Sequence, residues 1–300
     1  MILGPYDLPG AYTGDAVDMM REIPDGSIHC CITSPPYWGL RSYLDPDDPD
    51  KAREIGAEAT PDQYVASMVR VFREVQRVLR NDGVCWLNLG DCYSNKNLTL
   101  IPYRVALALQ DDGWLLRSNI VWAKGLSFCE HYSGSVMPES IRDRPTSAHE
   151  AVFLLTKSDR YYYDQDAVRE TLLHPDAVVP SGFGGNKSNG GATYSGNEYK
   201  ASEQGRGRNL RNVWAISPGH YAGSHYAVFP PQLVAPMVEA GCPVGGIVLD
   251  PFMGSGTTGQ AAEDRGRLWI GFDLDERNAT LIRKRTAQTS LLRLAAKGQA

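Results

Sequence analysis

One short stretch constrains the fold more than any other. Asp250-Pro251-Phe252-Met253-Gly254-Ser255-Gly256-Thr257-Thr258-Gly259 follows an apolar run at 246–250 and opens a helical pattern. A second apolar run, Leu268-Trp269-Ile270-Gly271-Phe272-Asp273, comes after that helix. Strand, glycine turn, helix and strand in this order make a crossover unit of an α/β sheet. Gly254, Gly256 and Gly259 satisfy the G-x-G-x-x-G spacing, whose glycines permit positive φ and close approach of backbone to a ligand. Asp273 ends the second strand at about the distance where a ribose hydroxyl is held. The lysine of an ATP phosphate loop is missing, which speaks against that ligand. A dinucleotide, another nucleoside cofactor and a purely structural turn stay open on these residues alone.

The rest of the chain repeats the alternation. Residues 13–23 read as a turn feeding a short helix, and Pro24-Asp25-Gly26-Ser27 as a turn. The run 28–33 reads as a buried parallel strand, ended by Pro35 and Pro36, which cannot donate ladder hydrogen bonds. Residues 41–61, rich in Asp and Pro, are expected to form a surface loop. Thr60-Pro61-Asp62 opens a helix predicted to run to Arg80, with Tyr64, Val65, Met68, Val71, Phe72, Val75, Val78 and Leu79 as its core-facing stripe. Asn81-Asp82-Gly83 is expected to stop it before a strand at 84–89. A helix at 101–110 and strands at 115–122 and 150–156 follow, with 161–164 continuing that hairpin. The stretch 165–224 is rich in Gly, Ser and Asn and longer than an ordinary connection. A helix at 230–240 and a C-terminal helix at 278–294 complete the pattern.

Thr33-Ser34-Pro35-Pro36-Tyr37 is the sharper chemical motif. By itself it reads equally as a rigid surface turn. Its place after a buried strand, in a chain that also holds the Asp250 turn, favours a functional loop.

These two motifs together carry a family resemblance. The chain resembles the amino-methyltransferases of DNA, which have (Asp/Asn/Ser)-Pro-Pro-(Tyr/Phe/Trp) at this point and acid-x-Phe-x-Gly-x-Gly at the cofactor. Here Ser34, Pro35, Pro36 and Tyr37 match the first pattern, and Asp250, Phe252, Gly254 and Gly256 the second. The proline motif precedes the glycine turn, as in the β group of that family. Protein-glutamine and ribosomal-RNA methyltransferases with a similar loop usually carry the glycine turn first. Gly14-Asp15 matches the family's acidic residue near adenine, Asn88-Leu89-Gly90-Asp91 a strand-end motif, and 225–230 the segment beside the cofactor's methionine end. The resemblance covers nearly the whole chain.

The resemblance implies a Rossmann-like α/β methyltransferase fold with a mostly parallel mixed sheet, helices on both faces and permuted motif order. Residues 1–164 would form the catalytic half, 165–224 a target-recognition insert, and 225–300 the cofactor half. S-adenosyl-L-methionine is the implied cofactor, held by Asp15, Thr33, Phe229, Pro230, Asp250, Pro251, Phe252, Gly254, Ser255, Gly256, Thr257, Thr258 and Asp273. Double-stranded DNA is the implied partner, contacted through Arg41, Lys124, Lys187, Arg206, Arg208 and Arg211. A cognate restriction endonuclease and a homodimer are left open as further partners.

The expected chemistry is methyl transfer to an exocyclic amino nitrogen of a flipped base. Its lone pair is delocalised, and acceptors at Ser34 and a proline carbonyl would draw it out; no metal is needed. Ser in the first position leans towards N4 of cytosine over N6 of adenine. Carbon methylation is rejected, because it needs a Cys nucleophile after Pro and the chain has no Pro-Cys dipeptide. A nicotinamide-dependent dehydrogenase and a non-catalytic DNA-binding protein are the competing readings.

Composition sets outer bounds. Hydrophobic residues at 42% and charged residues at 22% suit a globular protein with a full core. The net charge of -5 requires any DNA contact to come from a local basic patch. The six cysteines form no Cys-x-x-Cys pair, so reduced buried thiols and a cytoplasmic setting are expected, with neither a secretory leader nor a membrane span.

Overall fold

The computed structural model describes residues 1–40, 42–136, 138–171, 178–180, 198–200, 207–218, 229–283 and 285–286. The chain alternates β1 (Gly10–Thr13), α1 (Ala16–Arg21), β2 (Ile28–Thr33), α2 (Pro61–Val78), β3 (Leu79–Leu89), α3 (Ile101–Asp111), β4 (Leu115–Ala123) and β5 (His149–Thr156). It continues with β6 (Val213–Ala215), α4 (Pro231–Gly241), β7 (Ile247–Asp250), α5 (Thr257–Asp264) and β8 (Leu268–Asp273). A further helix, α6, covers 276–283. None of the described helices is long and apolar enough to cross a membrane.

The eight strands form one sheet in the order β6-β4-β5-β3-β2-β7-β8-β1. Only β5 runs antiparallel to its neighbours; every other pair is parallel. From β2 the chain crosses through α2 to β3 on one side, and from β7 through α5 to β8 on the other. The sheet therefore changes direction between β2 and β7, which pair through Cys30 with Val248 and Cys31 with Leu249. Ligands of open α/β sheets bind beyond the strand ends at such a point.

Alternation of side chains across the sheet builds two cores. Cys31, Cys85, Leu87, Leu249, Ile270 and Phe272 share one buried cluster with residues of α1, α2 and α3. Cys30, Val84 and Trp86 face the other way, and α4 packs there so closely that a Cβ on Gly241 would lie 2.6 Å from Trp86 Nε1. α2 starts at a capping box, in which Gln63 N–H donates to Thr60 Oγ1 and Thr60 N–H to Gln63 Oε1. It buries Tyr64, Met68, Val71, Phe72, Val75 and Val78, the stripe read from the sequence. Arg77 on its last turn donates to the carbonyls of Met20 and Ile23, fixing the end of α1.

Several boundaries differ from expectation. α2 ends at Val78, and Leu79 is already extended (φ -69, ψ 138) and in β3. Asn81-Asp82-Gly83 therefore lies inside the strand, where a Cβ on Gly83 would come within 3.0 Å of the His29 carbonyl. Residues 161–164 do not extend β5; Tyr162 N–H instead donates to the Asp82 carbonyl. β1 had no readable signal, being short and without a branched apolar run. β6 lies within the expected 165–224 insert yet pairs with β4 in the main sheet. The compact unit separate from the main body is Asp164–Arg211. Within it Glu170 accepts hydrogen bonds from both Arg208 and Arg211. α6 starts two residues earlier than expected, and its predicted extension beyond 286 lies outside the described residues.

Gly256, at the start of α5, has φ +85, and a Cβ there would meet Ile282 of α6 at 3.2 Å. Gly256→Ala should therefore destabilise the protein by about 1–3 kcal/mol. The expected result is a lower urea midpoint at unchanged slope.

Candidate active site

Every residue of chemical interest in the main body sits at one edge of the sheet. β1, β2, β3, β4, β7 and β8 end there. β5, running the other way, begins there and contributes Glu150.

The loop after β2 and the turn after β7 are tied together by one buried carboxylate. Thr33 Oγ1 donates to Asp250 Oδ1 at 2.6 Å, Thr258 Oγ1 donates to Oδ2 at 2.7 Å, and Phe252 N–H donates to Oδ1 at 3.1 Å. Asp250 is 1% exposed. Burial pushes its pKa up to about 6, against the pull of the three hydrogen bonds. Asp250, Thr33 and Thr258, expected at the cofactor, thus spend these polar contacts on one another. They shape the site from beneath.

The proline loop carries a second polar cluster. Tyr37 OH donates to Glu150 Oε2 at 2.6 Å and lies 3.2 Å from Ser34 Oγ. Asn88 Nδ2 is 2.8 Å from Tyr37 OH, 2.8 Å from Glu150 Oε2 and 3.2 Å from Ser34 Oγ. Lys124 Nζ pairs with Glu150 Oε1 and stands 4.9 Å from the centre of the Trp122 ring. Burial and the Glu150 charge raise the Tyr37 pKa well above the usual phenol range, so the hydroxyl keeps its proton. Pro36 is held from behind, its carbonyl accepting from Tyr64 OH at 2.9 Å.

Small residues let this loop seat. A Cβ on Gly90 would lie 2.5 Å from the Tyr37 ring. Gly56 has φ +101 and its carbonyl accepts from Gly39 N–H, while Trp38 Nε1 donates to the Glu58 carbonyl at 2.8 Å. Part of the segment expected to be a plain surface loop at 41–61 thus braces the proline motif. Asp91 caps α3, accepting from Ile101 N–H at 3.1 Å.

The glycine turn presents bare backbone. Gly254 has φ +50, and a Cβ there would have only the Phe252 carbonyl nearby, at 3.9 Å. Asp273 Oδ2 accepts from Gly254 N–H at 2.7 Å, and Oδ1 from Asp275 N–H and Asn278 Nδ2, both at 2.9 Å. A carboxylate has about four lone-pair positions, so one stays open. Gly259 serves packing: a Cβ there would strike Met253 at 2.5 Å. Asp15 caps α1, accepting from Val17 and Asp18 N–H, with Arg53 Nε 3.6 Å away. Pro251, Ser255 and Thr257 are buried, Phe252 is half-buried, and Thr257 Oγ1 accepts from Arg285. Phe229 is half-buried and Pro230 caps α4.

The expected DNA contacts fare differently. Lys124 is committed to Glu150, and Arg208 and Arg211 to Glu170 in the separate unit. Arg41, Lys187 and Arg206 lie outside the described residues, as does 225–228 of the expected cofactor segment. Glu150 was not singled out from the sequence; an acid at the start of an antiparallel strand carries no local signal of its partners.

A sequence profile of the N6/N4 amino-methyltransferases, described as DNA methylase, matches residues 28–284. The chain belongs to this family. It is 36% identical to the Type II methyltransferase M.XycI of Xanthomonas campestris pv. cyanopsidis, over 95% of this chain and 90% of that protein. It is also 36% identical to M.Cfr9I of Citrobacter freundii, over 97% and 93% respectively. Among solved structures, PvuII DNA methyltransferase (cytosine-N4-specific) superposes with a TM-score of 0.66 at 21% identity, covering 92% of this chain and 85% of that one. A putative DNA modification methylase from Thermus thermophilus, solved with S-adenosylmethionine, gives a TM-score of 0.59 at 23% identity, covering 93% and 94%. Family membership sets the dehydrogenase reading aside. This DNA amino-methyltransferase uses S-adenosylmethionine, and the open backbone at Gly254 with the spare acceptor of Asp273 fits that cofactor's nucleoside end.

The buried Asp250 has a pH consequence. Its folded pKa, about 6, exceeds the ordinary carboxylate value of 3.8, so between these the folded state holds more protons. This contribution falls as pH rises through the window, by up to about 3 kcal/mol. The stability of the parent minus that of Asp250→Asn should therefore fall from about pH 4 to 6 and stay flat above about 7.

Proposed function

We propose that the enzyme methylates the exocyclic N4 of cytosine in duplex DNA, on a base turned out of the helix towards Ser34. The observation that carries the reading is Ser34 itself, a hydroxyl rather than a carboxylate at the head of the proline loop. A neutral hydroxyl accepts one amino hydrogen, and in this family a serine at this position leans towards cytosine N4. Adenine N6 at the same loop is the second reading.

The loop supplies the two acceptors an amino group needs. Ser34 Oγ takes one N–H. The Pro36 carbonyl is engaged by Tyr64, which leaves the Pro35 carbonyl for the other. Fixed proline φ angles hold that carbonyl before the base arrives. Both bonds draw the nitrogen towards tetrahedral geometry and turn its lone pair out of the ring. The Tyr37 ring, seated on Gly90, stacks on the flipped base. S-adenosylmethionine would supply a methyl already activated by its sulfonium, and Asp15, Asp273 and the turn at Gly254 would hold its nucleoside end. The nitrogen would take the methyl carbon as that carbon's bond to the sulfonium sulfur breaks, leaving a thioether, and would release one hydrogen to solvent as a proton.

Target reading is assigned to the unit Asp164–Arg211, whose sequence includes Lys187 and Arg206. Arg side chains suit phosphates and guanine edges. The Type II methyltransferases among its relatives support a cognate restriction endonuclease as the enzyme's counterpart.

The test is transfer of labelled methyl to mixed-sequence DNA, followed by nucleoside digestion and mass spectrometry. N4-methylcytosine is the expected product; 6-methyladenine would move the target to adenine, and 5-methylcytosine would overturn amino chemistry altogether. Ser34→Ala should lower kcat by about 100-fold or more while calorimetric cofactor binding is kept. Full activity in that variant would remove Ser34 from the mechanism.

A further inference from the structure

The cluster behind the proline loop contains two charged residues, Glu150 and Lys124, that the chemistry above does not use. We propose that Glu150 is a positioning residue that sets the direction of hydrogen bonding through Tyr37 and Asn88, so that Ser34 meets the substrate amino group as an acceptor. This rests on the reading of Ser34 given above.

The argument follows the protons. Glu150 Oε2 receives the Tyr37 hydroxyl at 2.6 Å. The Tyr37 proton is therefore spent on Glu150, and only its oxygen lone pairs face Ser34, 3.2 Å away. Ser34 consequently points its own proton at Tyr37. Asn88 is oriented by the same carboxylate. Its Nδ2 donates towards Glu150 and is 3.2 Å from Ser34 Oγ, while its buried Oδ1 has no hydrogen-bond partner among the described residues. The reverse orientation would satisfy nothing better, since it would set Oδ1 against the carboxylate. Leaving a buried acceptor bare is costly, so something must enforce the arrangement. Lys124 on Glu150 Oε1 anchors the carboxylate on its other side. With its proton on Tyr37 and one contact from Asn88, the Ser34 oxygen presents a lone pair to an incoming N–H.

Replacing Glu150 by Gln removes that enforcement. An amide N–H facing the Tyr37 oxygen would turn the phenol proton towards Ser34 and reverse the chain. Glu150→Gln should lower single-turnover methyl transfer roughly 10- to 100-fold, with KM for cofactor and melting temperature unchanged. A merely structural role would move stability or KM instead. Because Glu150 works largely through Tyr37, the Tyr37→Phe/Glu150→Gln double variant should fall little below the worse single variant. The proposal is overturned if Glu150→Gln stays within about twofold of the parent, if the two losses multiply, or if the loss is in KM or folding. Ser34→Ala run alongside separates the levels. Activity lost there but kept in Glu150→Gln sinks the role of Glu150 alone, and activity kept in Ser34→Ala sinks the reading beneath it as well.

Discussion

The rest of the site depends on the Asp250 carboxylate. It joins two loops that lie 217 residues apart in the chain, through Thr33 on one side and Thr258 on the other. Burying a carboxylate is costly unless its oxygens are met by donors, and here two hydroxyls and a backbone N–H meet them. The pKa near 6 records what burial still costs after that compensation. In return, the proline loop and the glycine turn share one rigid support. In-line transfer tolerates little misplacement between donor and acceptor, so such a support has a clear catalytic use.

Above that tie the polar groups are layered by what they touch. Ser34 stands at the head of the proline loop. Tyr37 and Asn88 stand behind Ser34, and Glu150 and Lys124 behind them. Glycines at 56 and 90 remove side chains where the loop and its bracing segment must pass closely. Side-chain hydroxyls have no fixed direction of their own, so the charge at the far end of the chain decides which way each proton points. Asp273 plays the matching part in the cofactor half, where it shapes the glycine turn through Gly254 and keeps one acceptor position open.

Much of this was legible in the residues. The strand, turn and helix around Gly254 follow from apolar runs bounded by glycine, and the α2 stripe from its three- and four-residue recurrence. The proline loop stood out only when its place after a buried strand was joined to the Asp250 turn in the same chain, since alone it reads equally as a rigid turn. Other elements were silent for physical reasons. β1 is an edge strand of mixed composition, stabilised by pairing with β8. β6 is three residues long and owes its strand conformation to β4. The α2–β3 junction misled because Asn-Asp-Gly ordinarily turns the chain, whereas here Gly83 is needed for strand contact.

Local chemistry in the sequence determined which groups could act: a serine before two prolines, an aromatic after them, glycines and acids at two strand ends. Those assignments depend on side-chain identity and near-neighbour spacing, which survive without a fold. The tertiary structure alone decided how the acids divide their work. Asp250 turned inward as a tie, Asp273 stayed partly available, and Glu150, unremarkable in its strand, came within hydrogen-bond reach of Tyr37 and Asn88. The reason is that β5 runs antiparallel beside β3, so the start of one strand meets the end of another, and no local pattern records that pairing.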